Sequence, residues 1–561
     1  MSSSVEEKPH QVGEKPEAAI SSEDGNSALS FRGEEKKQEA GLKRDLKPRQ
    51  ISMIAIGGAL GTGLVIGSGS GLANGGPASL FIGYSVMGFC CAAVMSALGE
   101  MSTYMPHPRG FAGHASRFVS EEFGFAVGYN YLFKYLVVTA NNINAGALVI
   151  SYWNNSLSGG IWISMIIVLI IAINFAGPKG FGEFEFWLSL VKIITMTGLI
   201  LLLLILDLGG GPNKDRIGFR NWQDGKAFKE YKSTGSTGRF LGFWSVMVNA
   251  LFAYTGTELV GVTVGEAANP RKTVPAAIKK TFFRIAFFYV LGVFLVGLVV
   301  PSDNPLLLSA NKKGTSAAAS PFVVAINIAG IKVLPSIINA AILLFTISAS
   351  NSDLYIGART LYGLAVDGKA PAVFRKCNRF GVPYWSLIAC SLFCALAFIN
   401  LGSGGPQTFK YLVNTVTIFG GLTWLGILIS HIHFMKALKA QGVSRDSLPW
   451  KAPLQPYSSY FAVVFVSIVV FFKGWDTFVP KFNSKNFVTS YIGLPIFFLL
   501  IVGYKLWYRT KVHRPEDVDL KTGAREFDEA DVEEWKKDEE RDAALASGPL
   551  HLKLWHAAKN W

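Results

Sequence analysis

The chain has 561 residues, of which 50% are hydrophobic and only 16% are charged, whereas soluble domains carry about 25% charged residues. Its 53 lysines and arginines exceed its 39 acidic residues, giving a net charge of +14. These cations lie in segments between apolar blocks rather than on one face or tail, which argues against nucleic-acid binding. The five cysteines form no ligand-like spacing with the eight histidines, so we expect no disulfide framework, no metal site and no cofactor.

The chain divides into a polar tail, a long apolar region and a second polar tail. Residues 1–48 have few large apolar side chains, which predicts a disordered N-terminal tail, and residues 511–561 form a polar C-terminal tail. Residues 49–510 form the predicted membrane domain, because each of its apolar blocks can cross a bilayer core of about 30 Å as a helix. The twelve predicted spans lie at about 50–72, 78–104, 122–153, 160–176, 184–207, 240–266, 282–300, 334–363, 385–401, 408–432, 458–474 and 487–508.

The distribution of lysine and arginine predicts the orientation of the chain. An even number of spans places both tails on one side, and the basic residues just before the first span (Lys43, Arg44, Lys47) mark that side as the cytosol. The loop 208–239 is basic although it should lie outside, and it does not fit this topology.

The first predicted span contains four glycines within seven residues, at positions 57, 58, 61 and 63. Each glycine costs a helix interior roughly 1 kcal/mol relative to alanine. One explanation is a broken helix whose second half presents free N–H groups to a carboxylate. The other explanation is close helix packing, because the glycines also follow the small-xxx-small spacing.

The sixth predicted span contains a glycine and a carboxylate in mid-membrane, within Phe252–Gly261. Unwound carbonyls near Ala253 and Thr255 would accept hydrogen bonds from an ammonium group. Two interrupted helices that face each other are the best sequence indication of a transporter site, and this pair suits an α-amino acid. The candidate substrate-binding residues are Gly58, Ala59, Gly61, Thr62, Gly63, Phe252, Ala253, Tyr254, Thr255 and Glu258.

Several of these motifs resemble those of one family. Gly57–Gly63 resembles the first-span signature of the amino acid–polyamine–organocation superfamily, and Gly265–Lys272 and Ser348–Gly363 are similar to segments of its fungal amino-acid permeases. The likeness runs from about Lys47 to Asp528, and Lys473–Tyr491 looks most like the dicarboxylic amino-acid permease branch.

This resemblance implies a fold and an activity. The fold would be an all-α polytopic membrane protein of about twelve helices, with a 5+5 inverted-repeat (LeuT-like) core, broken helices 1 and 6 and two extra helices. The activity would be proton symport of amino acids, acidic (glutamate and aspartate) or broad in range, by alternating access across the plasma membrane. The partners would be amino acids, protons and the lipid bilayer, and ubiquitin-ligase adaptors would act on tail lysines such as Lys36, Lys37 and Lys43.

Ionisable residues within spans are costly and usually functional. In related transporters a lysine at the position of Lys192 replaces a sodium ion, so Lys192 is either a proton carrier or a fixed cation between helices. Glu258 is a second candidate for proton coupling, with helix pairing as its alternative. Glu100 is interpreted as an interfacial carboxylate, and the role of Asp353 stays open.

Two other classes of protein compete with a transporter. An amino-acid-sensing receptor of the same fold would show little net transport, but such sensors tend to have longer tails than this chain. An intramembrane enzyme would need a nucleophile–base or metal constellation within the spans, and the sequence offers none. We therefore predict a transporter and not an enzyme.

Overall fold

The computed structural model describes residues 50, 53, 60–106, 110–154, 156–259, 261, 270–308, 320–401, 405–479 and 481–522, without the side chains of 270–273 and 405–407. In these ranges the regular structure is helical and contains no strand. The α-helices are α1 Thr62–Val65, α2 Gly67–Tyr104, α3 Gly110–Phe118, α4 Glu121–Ile150, α5 Gly159–Phe175, α6 Gly177–Asp207, α7 Gly235–Tyr254, α8 Pro270–Arg284, α9 Gly292–Val299, α10 Pro321–Ile328, α11 Leu334–Val366, α12 Tyr384–Phe393, α13 Gly405–Ala440, α14 Tyr457–Phe472, α15 Ser484–Tyr491 and α16 Gly493–Tyr508.

The long described helices overlap the predicted apolar blocks, whereas α3, most of α8 and α10 lie outside them. By length and composition, seven of them are long and apolar enough to cross a membrane, and the pair α15 and α16, bent by 45°, raises this number to eight. Two predicted spans contribute to one member of this set, because the continuous run Thr62–Tyr104 includes residues 62–72 of the first block and the whole second block. Helix α5, with 17 residues, is also apolar but is shorter than each of these seven helices.

Gly76 ends the first predicted span within the long helix α2. Its φ of +80° is the left-handed conformation that glycine tolerates, and Pro77 follows it. The basic loop before α7 packs here, since Ala78 N donates to Ala227 O at 3.0 Å and Lys229 N donates to Gly75 O at 3.0 Å. The loop that does not fit the charge rule is therefore an ordered part of the fold.

Within the described residues the helices bury two hydrophobic clusters, and α4 packs against α11, α13 and α16 while α2 packs against α7 and α9. The glycines at these crossings allow close approach; a Cβ at Gly426 would lie 2.8 Å from the Val127 side chain. Small residues at helix crossings are typical of membrane proteins, because packing rather than hydrophobic burial holds the helices together.

The start of the C-terminal region folds back onto α3. Arg117 forms an ion pair with Asp519 at 2.7 Å, and its Nη2 also donates to Thr522 O at 2.7 Å. Val518 and Leu520 are buried in the main core. The described part of the polar C-terminal region is therefore packed as far as Thr522, and residues 1–48, predicted to be disordered, lie outside the described residues.

Candidate functional site

The first predicted break is described from Leu60 onwards, and Gly61 directly precedes a helix. This residue is extended (φ −127°, ψ −163°), α1 begins at Thr62, and after an irregular Ile66 the helix continues as α2. The first N–H groups of a helix have no intrahelical partner and attract negative charge. Gly58 and Ala59, also predicted to bind substrate, lie outside the described residues.

The second break follows α7. The helix ends at Tyr254, Thr255 is extended with a ψ of 139°, and Gly256 has a φ of +100°. Because only glycine adopts this φ without strain, Gly256 fixes the place of the break. The carbonyl of Ala253 accepts a hydrogen bond from the Tyr289 hydroxyl at 3.2 Å, which leaves its second lone pair for another donor.

The two breaks are in direct contact. A Cβ placed on Gly63 would lie 2.6 Å from Ala253 Cα and 3.3 Å from the Phe252 ring. Gly61, by contrast, has no described residue within 4 Å of the position of its Cβ, so space free of described atoms adjoins the start of α1. Gly63 therefore allows close helix packing, as one of the two explanations predicts, whereas binding of a carboxylate beside Gly61 stays a prediction.

Tyr254 directs its side chain away from this contact. Its hydroxyl donates to Tyr84 O at 2.9 Å, and its ring stacks on Tyr289 with a centroid separation of 4.4 Å. The side chain is fully buried. Only the backbone of Tyr254 lies at the break.

Glu258 is held by three donors on three segments. One carboxylate oxygen accepts from Lys134 of α4; the other accepts from Gly256 N at 3.0 Å and from Trp424 Nε1 at 3.1 Å. Lys134 also lies over the rings of Tyr131 and Tyr135 at 5.3 and 4.8 Å. Glu258 thus connects the second break to α4 and α13.

A second polar connection starts at the first break. Thr62 Oγ1 donates to Asn142 Oδ1 at 2.9 Å, and Asn142 Nδ2 donates to Asp353 Oδ2 at 2.8 Å. Thr62 and Asn142 are buried, and Asp353 is partly exposed. This chain of hydrogen bonds joins α1, α4 and α11.

Lys192 lies on α6 within an ion pair. Its Nζ is 3.5 Å from Glu185 Oε1, and the same oxygen accepts from Ser348 Oγ of α11 at 2.6 Å. Both charged side chains are buried. The predicted proton-coupling lysine therefore neutralises a carboxylate that is itself bonded to α11.

Glu100 is fully buried within the protein. It accepts from Arg445, from Ala452 N at 2.8 Å and from His431 Nε2 at 2.9 Å. The sequence alone places Glu100 near a helix end, but the segment after α13 covers it. This cluster lies outside the contact between the two breaks.

The arrangement of two broken helices in contact can be compared with known proteins. Residues 50–515 match the model of the family described as amino acid permease. The chain is a member of the amino acid permease family. It is therefore a multi-pass membrane transporter and not an enzyme.

The relatives of this permease include proteins named for different substrates. This permease is 50% identical over 526 residues to the dicarboxylic amino acid permease of Saccharomyces cerevisiae, and the match covers 93% of this chain and 86% of the relative. It is 40% identical over 519 residues to the lysine-specific permease of the same yeast, covering 92% and 82%. The expected resemblance to fungal amino-acid permeases is thus confirmed.

The fold is that of LeuT-like transporters. A solved structure of a manganese transporter mutant from Eremococcus coleocola matches with a TM-score of 0.53 and 10% identity, covering 82% of this chain and 93% of that one. This likeness concerns the fold alone. The predicted all-α polytopic architecture, with a 5+5 inverted repeat, broken helices 1 and 6 and two extra helices, is confirmed.

Sequence reasoning missed Lys134, Glu185 and Trp424 of the permease. The rule that singled out Lys192, an ionisable residue inside an apolar block, applies equally to Lys134 and Glu185. Trp424 gives no such signal, because a tryptophan within an apolar helix is usually a packing residue. Its role depends on the hydrogen bond to Glu258.

Proposed function

We propose that the permease imports acidic amino acids, glutamate and aspartate, across the plasma membrane by proton symport and alternating access. The observation that carries this proposal is the contact of the two breaks at Gly63 and Ala253, beside the open space at Gly61. A helix start suits the substrate α-carboxylate, and freed carbonyls suit its ammonium group. The 50% identity to a dicarboxylic amino acid permease supports an acidic substrate.

Residues 49–510 would form the transport domain of this symporter, with both tails in the cytosol. The basic residues before the first span favour this orientation. The tail lysines named above would then be accessible to ubiquitin-ligase adaptors on that side.

Lys192 and Glu258 are the proposed proton-coupling residues. Each is buried in an ion pair with a residue on the same or another helix. Transfer of a proton to Glu258 or from Lys192 would neutralise one partner and weaken its pair, which links protonation to the contacts between helices. A fixed structural role for either pair is the alternative.

The test is uptake of labelled glutamate, leucine and arginine into permease-deficient cells that express the chain, at acidic and neutral external pH, with and without a proton uncoupler. We expect uncoupler-sensitive accumulation of glutamate above the other two. Accumulation of all three would reject the acidic preference and leave symport standing. No uptake at normal surface expression would reject transport in favour of an amino-acid-sensing receptor.

A further inference from the structure

Asp353 differs from three fully buried acidic residues of the membrane domain, Glu100, Glu185 and Glu258. Glu100, Glu185 and Glu258 each have a basic side chain within 4.0 Å, namely Arg445, Lys192 and Lys134. For Asp353, the described residues supply no such cation, and its carboxylate accepts one side-chain hydrogen bond, from Asn142. Since a charge within the membrane is costly without a partner, the ionised form of Asp353 is poorly compensated.

The hydrogen-bond chain gives Asp353 a place beside the proposed substrate site. Asn142 links it to Thr62, the first residue of α1, whose predecessor Gly61 faces open space. Asn142 uses its amide N–H on Oδ2 of Asp353, so Oδ1 remains for a proton. Asp353 is also partly exposed, unlike Asn142 and Thr62.

The charged groups around Asp353 cancel in pairs. Its electrostatic neighbours are Lys134 on α4, and Lys192 and Glu185 on α6. Lys134 already holds Glu258, and Lys192 already holds Glu185. Hydroxyl groups near Asp353 add no charge to this balance while they are protonated. They belong to Tyr131, Tyr135 and, through Asn142, Thr62. Because these two ion pairs are neutral overall, an ionised Asp353 adds one uncompensated negative charge to the region.

We propose that Asp353 binds the proton that accompanies an acidic substrate. The protonated acid donates a hydrogen bond from Oδ1 to the substrate's side-chain carboxylate, whereas the ionised acid repels that carboxylate. Proton and substrate therefore bind together from outside and leave together inside, with no other chemical step. This inference rests on the proposed function, and it adds a third titratable group to Lys192 and Glu258.

The experiment measures glutamate uptake by the full chain in permease-deficient cells between external pH 4.5 and 7.5. In the wild type, KM for glutamate should rise with pH, by about tenfold per pH unit at the alkaline limit if one proton binds with the substrate. Asp353→Asn, which mimics the protonated acid, should give a KM nearly independent of pH. It should still exchange internal for external glutamate but no longer accumulate it. Asp353→Glu should restore a pH-dependent KM.

Asp207→Asn is the matched control, because Asp207 is another buried acid, at the end of α6, away from this chain of hydrogen bonds. It should keep the wild-type pH profile. If Asp353→Asn does not transport, the glutamate-induced thermal shift of the purified protein replaces uptake. Binding that is independent of pH supports the proposal, and binding with the wild-type pH dependence overturns it.

The outcomes separate this inference from the proposed function. A wild type that takes up no glutamate at any pH would reject the proposed function itself. Uncoupler-sensitive glutamate uptake by the wild type, with the same pH profile in Asp353→Asn, would overturn the role of Asp353 alone. If Asp353→Asn does not fold, Asp353→Ser takes its place, and glutamate uptake by that variant with the wild-type pH profile overturns the role of Asp353 as well.

Discussion

Lys134 and Glu258 form an ion pair with side-chain exposures of 2% and 0%, between the middle of α4 and the break that follows α7. Gly256 N and Trp424 satisfy the other oxygen of the carboxylate. The side chain of Glu258 therefore fixes the second break, which lies at Gly256, two residues earlier in the chain. Any movement of the second broken helix relative to α4 must strain or separate this pair.

We predict that Lys134→Met and Glu258→Gln each destabilise the permease by about 3–5 kcal/mol, because each leaves a buried charge without its partner. The double variant should be less destabilised than the sum of the two. Thermal unfolding of the purified protein, analysed as a double-mutant cycle, measures this coupling.

The exposed pair Lys451 and Asp446, with exposures of 51% and 78%, is the control. Lys451→Met should change stability by less than about 1 kcal/mol. Strictly additive effects of Lys134→Met and Glu258→Gln would show that the buried pair contributes no coupling.

Gly63→Ala should lower glutamate uptake at least tenfold at equal surface expression. Its Cβ would meet Ala253 Cα at 2.6 Å, and this contact involves backbone that cannot rotate away. The added methyl group would therefore push the two breaks apart, which lowers the stability of the packed state by about 1–3 kcal/mol. Gly67→Ala is the matched control, since no described residue lies within 4 Å of its Cβ position. Equal uptake by the two variants would argue against the contact as a requirement for transport.

Gly61→Leu should abolish substrate binding while the protein still folds. Gly61 is not in the left-handed region, and its side-chain position points into open space, so the new side chain fills that space without backbone strain. Loss of the glutamate-induced thermal shift, with an unchanged melting temperature in the absence of substrate, is the expected pair of results. A preserved shift would place the substrate elsewhere.

Lys192→Arg tests whether Lys192 releases a proton during transport. Arginine keeps its charge under all relevant conditions, whereas a buried lysine is able to lose it. If Lys192 carries the proton, the variant should lose uncoupler-sensitive accumulation and keep glutamate exchange. Accumulation at the wild-type level would instead identify Lys192 as the fixed partner of Glu185. Lys192→Met controls for loss of the charge itself.

Docking of residues 513–522 should depend on pH through Asp519. Partial burial raises the pKa of Asp519, but hydrogen bonds from Thr522 and Lys521 and the charge of Arg117 outweigh it and lower the pKa to about 2. Because the pKa is lowered on docking, this contribution is present above the unfolded value of about 4 and is lost as the pH falls towards 2.

Asp519→Asn should therefore speed amide exchange in residues 513–522 at neutral pH. Asp517→Asn is the control in the same segment, since no described residue bonds its side chain. Equal exchange in both variants would show that Asp519 does not hold the segment.

The sequence by itself determined the class of protein, the approximate positions of the long helices and the position of the break at Gly256. These features are local: the length of an apolar block sets a membrane helix, and a cluster of glycines or a glycine with left-handed φ sets a break. The family resemblance rested on the same local motifs.

Only the tertiary structure decided which polar groups meet. Lys134 lies 124 residues from Glu258, and Asn142 lies 211 residues from Asp353. Such pairs depend on which helices are neighbours and on how each is rotated about its axis. A sequence of uniformly apolar helices leaves this rotation undetermined, because lipid and protein neighbours are equally apolar. Gly63 was accordingly recognised as special from the sequence, but its contact with Ala253 required the packed helices.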